Sequence, residues 1–112
     1  MAVSAGSLSA HAASISIAVP FMSQAPFGIW ASPWQDFCEE ASLVMVAHFR
    51  WGAPLTPEIA NLEMQIIKQF EEIVFGRYKD TSIEESALVL QKLFGFDGVR
   101  TRLVAGSDDI RA

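Results

Sequence analysis

The sequence predicts a mostly helical α+β chain built around one buried helix, and three patterns lead to this prediction. Residues 41–47 read Ala-Ser-Leu-Val-Met-Val-Ala, a run that is apolar on every helical face except at Ser42 and is therefore typical of a buried helix. Residues 57–75 and 83–94 repeat apolar side chains at helical spacing, which predicts two amphipathic helices. Residues 99–104 alternate in polarity instead, which predicts a strand.

Signals typical of helix ends bound these helices. Thr56 followed by Pro57 predicts the start of the second helix, and Ser82 with Glu85 predicts a capping box at the start of the third. A glycine follows each predicted helix, where a helix commonly ends: Gly52, Gly76 and Gly95.

The second predicted helix carries a continuous apolar stripe, which we expect to face the core. The stripe follows the 3.6-residue period and consists of Ile59, Leu62, Ile66, Phe70 and Ile73. Most of the polar residues of this helix are expected on the solvent side: Asn61, Glu63, Lys68, Glu71 and Glu72.

The two ends of the chain differ from its middle. Residues 1–14 are small and polar and predict a flexible tail, whereas residues 15–112 predict one domain that begins with a short extended segment, 15–19. Residues 107–110 resemble the capped start of a fourth helix whose body is missing. The sequence therefore predicts a domain truncated at its C-terminus.

Composition narrows the classes of function. The chain has 112 residues, of which 51% are hydrophobic, and this is enough for one domain with a modest core. Its net charge is −5 and it has no stripe of basic residues, which argues against binding to nucleic acid. No apolar run approaches the ~20 residues of a membrane span. One cysteine and two histidines cannot supply a clustered zinc site, and no glycine-rich phosphate loop is present. We therefore expect neither a metal nor a cofactor.

The candidate reactive residue is Cys38, at the start of the central helix and after a loop dense in Pro, Trp, Gln and Gly. The free N–H groups and positive dipole end of a helix stabilise a thiolate. The carboxylates of Asp36, Glu39 and Glu40 oppose this effect. A lone cysteine is more often a small buried hydrophobe, but these polar neighbours argue against a core position.

A longer pattern surrounds this cysteine: Val-Pro-Phe-x-Ser-Gln-Ala-Pro, then Trp, then Cys-Glu-Glu-Ala-Ser and an apolar helix. Over residues 17–50 this pattern resembles cysteine peptidase family 39, the bacterial, bacteriocin-processing type. The resemblance implies an α+β papain-like fold, of which this chain is the mostly helical N-terminal part. It also implies that Cys38 is a thiol nucleophile that attacks a peptide or acyl carbonyl in a peptide or protein substrate.

The family also uses a glutamine before the cysteine to stabilise the oxyanion. Gln24 fits the wording of the motif, fourteen residues before Cys38, and is the preferred candidate. Six residues before the cysteine, where family members often place this glutamine, the chain has Ser32. Gln35, three residues before the cysteine, is the alternative, and it also fits a structural cap of the helix start.

The catalytic base is not found in this sequence. His48 follows Cys38 by ten residues on the same helix, about 15 Å along its axis, and His11 lies in the tail. Both are expected to be surface or tail histidines. The resemblance implies that the base and the acid that orients it lie beyond Ala112, so we expect this chain alone to be catalytically incomplete.

The alternative function is a non-catalytic peptide-binding module that uses the tryptophan-rich loop. Phe27, Trp30 and Trp34 either line a peptide-binding cleft or pack the loop onto the central helix, and the sequence does not decide between these. A third possibility is an all-helical structural protein with an incidental cysteine. The elaborate loop before Cys38 argues against it.

Overall fold

In the computed structural model, which describes residues 17–102 and 104, the chain folds into three helices. Helix α1 spans Cys38–Trp51, α2 spans Pro57–Phe75 and α3 spans Ile83–Leu88. A 3-10 turn precedes α1 at Trp34–Asp36, and a π-helical turn continues α3 at Val89–Leu93. Together, α3 and this turn occupy most of the segment predicted as the third helix.

The prediction of an α+β, papain-like fold is wrong. The part of the chain that the structure describes is all-helical and contains no strand or sheet. Residues 99–102, which the sequence assigns to a strand, have no strand geometry, and neither does the segment 17–19. A strand is stable only when it pairs along its length with another strand, and neither segment forms such a pair within the part of the chain that the structure describes.

The predicted helix boundaries are confirmed. Thr56 Oγ1 accepts a hydrogen bond of 3.2 Å from the backbone N–H of Ile59 at the start of α2. At the start of α3 both bonds of the capping box form, from Glu85 N–H to Ser82 Oγ at 3.1 Å and from Ser82 N–H to Glu85 Oε1 at 2.9 Å. Gly76 ends α2 in the left-handed conformation, with φ of 80°, which a residue with a Cβ rarely adopts.

The core forms where α1 packs against α2 and the π-helical turn closes one side. Its fully or nearly fully buried side chains are Phe37, Ala41, Leu43, Val44, Ala60, Met64, Ile67 and Val89. The opposite side of α1 stays exposed at Val46, Phe49 and Trp51. The prediction that this helix is buried on all sides is therefore wrong for one face, because its neighbours pack on one side only.

The stripe predicted to be the core face of α2 points away from the core. Ile59, Leu62, Ile66 and Ile73 are exposed and Phe70 is partly buried, whereas Ala60, Met64, Ile67 and Glu71 face α1. The helix has two apolar faces, and the one with Ala60, Met64 and Ile67 joins the buried cluster that includes Leu43 and Val44 of α1. The prediction that the isoleucine stripe of α2 faces the core is therefore wrong, and so is the prediction that Glu71 faces solvent.

Three of the predictions concern residues outside the described part of the chain: the tail at 1–14 with His11, the extended residues 15 and 16, and the helix start at 107–110. Among the described helices, none combines the length and the apolar character needed to cross a bilayer.

Candidate functional site

Cys38 is the first residue of α1, as predicted, and its side chain is exposed. The preceding residue, Phe37, is fully buried and makes an edge-on ring contact with Tyr78 at 6.0 Å between centroids. This anchor holds the start of the helix in place, so Cys38 faces solvent while its neighbour fills the core. The cysteine is therefore not a buried apolar residue.

A groove of about 250 Å³ lies beside Cys38. One wall is the segment 21–24 with Trp30, and the other is formed by residues of α1: Cys38, Ala41, Ser42 and Met45. The backbone N–H of Met22 lies 3.3 Å from the sulfur of Met45, which ties the segment 21–24 to the helix. No residue lining this groove carries a charge.

Gln24 and Cys38 line the same groove, although fourteen residues separate them in sequence. The Gln24 side-chain amide donates hydrogen bonds to two backbone carbonyls, that of Trp34 at 3.0 Å and that of Gln35 at 3.1 Å. Both N–H bonds of the amide are engaged in this way. Gln24 therefore holds the loop together, and it can donate to an oxyanion only after releasing one carbonyl.

The alternative glutamine position is not part of the groove. Gln35 is exposed, and only its backbone carbonyl takes part, as an acceptor from Gln24. Ser32, at the position where family members often place the glutamine, is exposed and lies outside the groove lining. Of these candidate positions, only Gln24 lines the groove beside Cys38.

The aromatic residues of the loop divide between the two roles that the sequence left open. Trp30 is exposed and lines the groove. Trp34 packs against the core, and its indole N–H donates a 2.9 Å hydrogen bond to Asn61 Oδ1 on α2. Phe27 is exposed outside the groove. Trp34 is thus an anchor of the loop, and Trp30 is the one available to a ligand.

His48 is buried, contrary to the prediction of a surface histidine. Its Nδ1 lies 3.3 Å from the carbonyl oxygen of Ala53 and its Nε2 lies 2.8 Å from Glu63 Oε1. The Ala53 carbonyl and an ionised Glu63 carboxylate both only accept hydrogen bonds. The two bonds therefore form together only when both ring nitrogens of His48 carry a hydrogen, or when Glu63 is protonated. His48 ties α1 to α2 at the far end of the helix from Cys38, and it is the only histidine among the described residues.

A pair of buried carboxyl groups lies close to the thiol in sequence but inside the core. The side chains of Glu40 on α1 and Glu71 on α2 are fully buried and face each other, with no other hydrogen-bond partner for either carboxyl group. Burial, and then the neighbouring Glu40, raise the pKa of Glu71 to about 10. Burial also raises the pKa of Glu40. The two groups therefore share a proton at neutral pH.

The sequence does not reveal this pair. Its pattern places Glu40 beside Cys38 as a nearby acid and predicts that Glu71 lies on the solvent side of α2. A glutamate within an amphipathic helix gives no signal of its burial, because that depends on which face the neighbouring helix covers. Within the described residues, no group of three or more His, Cys, Asp or Glu side chains is placed to hold a metal ion.

Comparisons of this chain with models of known protein families, with curated proteins and with solved structures find no match. Function is therefore inferred from the groove itself, from the residues that shape it and from the resemblance in the sequence around Cys38.

Proposed function

We propose that the chain is a peptide-binding module whose groove beside Cys38 holds an uncharged, apolar side chain of a partner peptide. The observation that supports this most directly is the uncharged wall of Phe21, Met22, Trp30 and Met45. Aromatic side chains offer large contact areas at low entropic cost, and methionines adapt to ligands of different shape. A charged ligand group would lose its hydration in this groove without gaining a partner.

The size of the groove indicates how much of a peptide it holds. Its volume of about 250 Å³ is below the ~300–1,000 Å³ typical of pockets for drug-sized ligands. One or two apolar side chains therefore enter the groove while the rest of the peptide lies across the surface. Phe21 is 81% exposed and Trp30 is 60% exposed, so both have area left to cover such a peptide.

The experiment measures the binding of short peptides that each carry a single apolar anchor side chain. Tryptophan fluorescence and calorimetry report the affinity of each peptide. Phe21→Ala and Trp30→Ala are expected to weaken binding about tenfold or more, since each removes part of the wall. Phe27→Ala is the matched control, because Phe27 is an exposed aromatic of the same loop outside the groove. Equal affinities for the wild type and both wall variants would rule out this groove as the binding site.

A second candidate function is thiol-mediated acyl cleavage, which the shared position of Cys38 and Gln24 in the groove favours. The resemblance to cysteine peptidase family 39 supports the same roles for the two residues. In this reaction the Cys38 thiolate attacks a carbonyl carbon and forms a thioester as the leaving amine takes up a proton. Water then hydrolyses the thioester. This reaction also requires a base to accept the thiol proton, and the one histidine among the described residues, His48, is engaged with Ala53 and Glu63.

The two candidate functions differ in whether a bound peptide is released intact or is cleaved. We expect this chain alone to bind peptides without turnover, because His48 is engaged with Glu63 and Ala53. Mass spectrometry of the peptides after incubation measures this directly. Cleavage that disappears in Cys38→Ala, while binding persists, would favour the second candidate over the first.

A further inference from the structure

The groove beside Cys38 has an uncharged lining, but the charge in the sequence around it is of one sign. Residues 1–49 contain no lysine or arginine, and the first residue of either type is Arg50, in the last turn of α1. Three acids lie at or just before the start of α1 instead: Asp36, Glu39 and Glu40. The partners of these three carboxyl groups decide which charge a peptide meets at the edge of the groove.

Two of the three carboxyl groups are engaged within the chain. Asp36 Oδ2 lies 3.4 Å from Lys79 Nζ, so a basic side chain already offsets its charge. Glu40 is fully buried against Glu71, and these two groups share a proton. Neither Asp36 nor Glu40 therefore offers an open carboxylate to a ligand of the groove.

Glu39 is the acid that remains. Its side chain is exposed, and none of the ion pairs among the described residues includes it. Glu39 follows Cys38 directly and precedes Ser42 by three residues, and side chains three residues apart are neighbours on the surface of a helix. Because Cys38 and Ser42 both line the groove, Glu39 borders its α1 wall. The edge of the groove thus carries one unpaired carboxylate.

We propose, on the basis of the peptide-binding function proposed above, that the partner peptide carries a lysine or arginine within two residues of its apolar anchor, and that this cation pairs with Glu39. The anchor fills the uncharged interior, where a cation would lose its hydration without gaining a partner. The cation stays at the exposed edge, which the long, flexible stem of a lysine can span. An acidic residue at the same place would bring like charges together in a chain whose net charge is already −5.

The test compares three peptides that share one apolar anchor and differ only in a flanking residue, which is lysine, glutamine or glutamate. We expect the lysine peptide to bind about twofold to fivefold more tightly than the glutamine peptide, the range that exposed ion pairs provide. The glutamate peptide is expected to bind most weakly. Calorimetry measures the three affinities at about 0.01 M and about 1 M salt, between which the screening length falls from ~30 Å to ~3 Å. The preference should be lost at the higher salt concentration.

Variants assign the preference to Glu39. Glu39→Gln keeps the shape of the side chain and should abolish the difference between the three peptides, whereas Glu39→Lys should reverse their order. Glu58→Lys is the matched control, because Glu58 is likewise an exposed glutamate in the first turn of a helix, and the change of net charge is the same. Glu58 belongs to α2, none of whose residues lines the groove. Far-UV circular dichroism establishes that each variant is folded.

The possible outcomes separate this proposal from the function on which it rests. Equal affinities for the three peptides, or a preference for lysine that survives in Glu39→Gln, overturn the role of Glu39 and leave the groove as a peptide site. An equal effect of Glu58→Lys and Glu39→Lys would mean that net charge alone sets the preference, which also overturns that role. If none of the three peptides binds, the peptide-binding function itself is overturned, and the preference for basic peptides with it.

Discussion

Glu40 of α1 and Glu71 of α2 bury their carboxyl groups against each other in the interface between the two helices. As carboxylates both groups are acceptors only, so they cannot bond each other unless one carries a proton. The other charged groups that raise the pKa values of the pair, Asp36, Glu39 and Glu85, are acidic as well. Folding therefore requires proton uptake by this pair at neutral pH.

This pair predicts that the protein is more stable in mild acid than in mild base. The pKa of Glu71 rises from an ordinary 4.5 to about 10 on folding, and the pKa of Glu40 rises too. The folded chain holds a proton that the unfolded chain releases above about pH 4.5, so stability falls as pH rises from about 5 towards 10. The slope is at most about 1.4 kcal/mol per pH unit for each group. Urea denaturation at pH 5.5, 7 and 8.5 measures it.

Two variants isolate the contribution of the pair. Glu71→Gln keeps the shape of the side chain, stays neutral and donates to Glu40, so we expect it to add about 1–3 kcal/mol of stability at pH 8.5 and to reduce the slope. Glu58→Gln, in the exposed first turn of α2, is expected to leave the slope unchanged. Equal slopes for the wild type and Glu71→Gln would contradict the shared proton.

Gln24 is predicted to stabilise the loop before α1 through the two hydrogen bonds that its side-chain amide donates. Gln24→Glu turns a donor into an acceptor that faces the carbonyl oxygens of Trp34 and Gln35, which should cost about 1–3 kcal/mol of stability. Gln35→Glu is the control, because it makes the same chemical change on an exposed side chain of the same turn. Chemical denaturation gives both values. Similar losses in the two variants would mean that the loop does not depend on the Gln24 amide.

His48 is predicted to be structural and not to activate Cys38. His48→Ala removes a buried ring and leaves Ala53 and Glu63 without their partner, at an expected loss of about 2–4 kcal/mol. The rate of Cys38 alkylation by iodoacetamide in the folded state should change less than twofold. Stability comes from urea denaturation, and folding during alkylation is checked by circular dichroism. A tenfold slower alkylation at unchanged stability would assign His48 to the thiol.

The orientation of α2 predicts unequal costs for truncating its two faces. Met64→Ala removes a fully buried side chain and should cost about 2–5 kcal/mol. Ile73→Ala removes a side chain that is 84% exposed and should change stability by less than about 0.5 kcal/mol in the monomer. Measurements at high dilution keep self-association out of the comparison. A larger loss at Ile73 would mean that this face is packed within the single chain.

The parts of this protein that the sequence determined by itself are those set by neighbouring residues. The Thr56 cap, the Ser82–Glu85 box and the position of Cys38 at the first turn of α1 all follow from groups a few residues apart. Such bonds form whatever packs against the helix, so their residue types predict them directly. For the candidate site, the sequence places Cys38 at the start of α1 and names Gln24 and Trp30 among the candidates, but it does not show that they line one groove or that the Gln24 amide donates two hydrogen bonds.

Only the tertiary structure decided which surfaces meet. The 3.6-residue period gives the angle of each apolar stripe around α2, but the face that packs in the core is that of Ala60 and Met64, which leaves Ile66 and Ile73 outside. The same packing buries Glu71 and brings it to Glu40. The segment 99–102 shows alternation without a strand, because a strand depends on hydrogen bonds to a neighbour that its own residues do not specify. Burial and pairing are properties of two surfaces together, and a pattern along one chain segment describes only one of them.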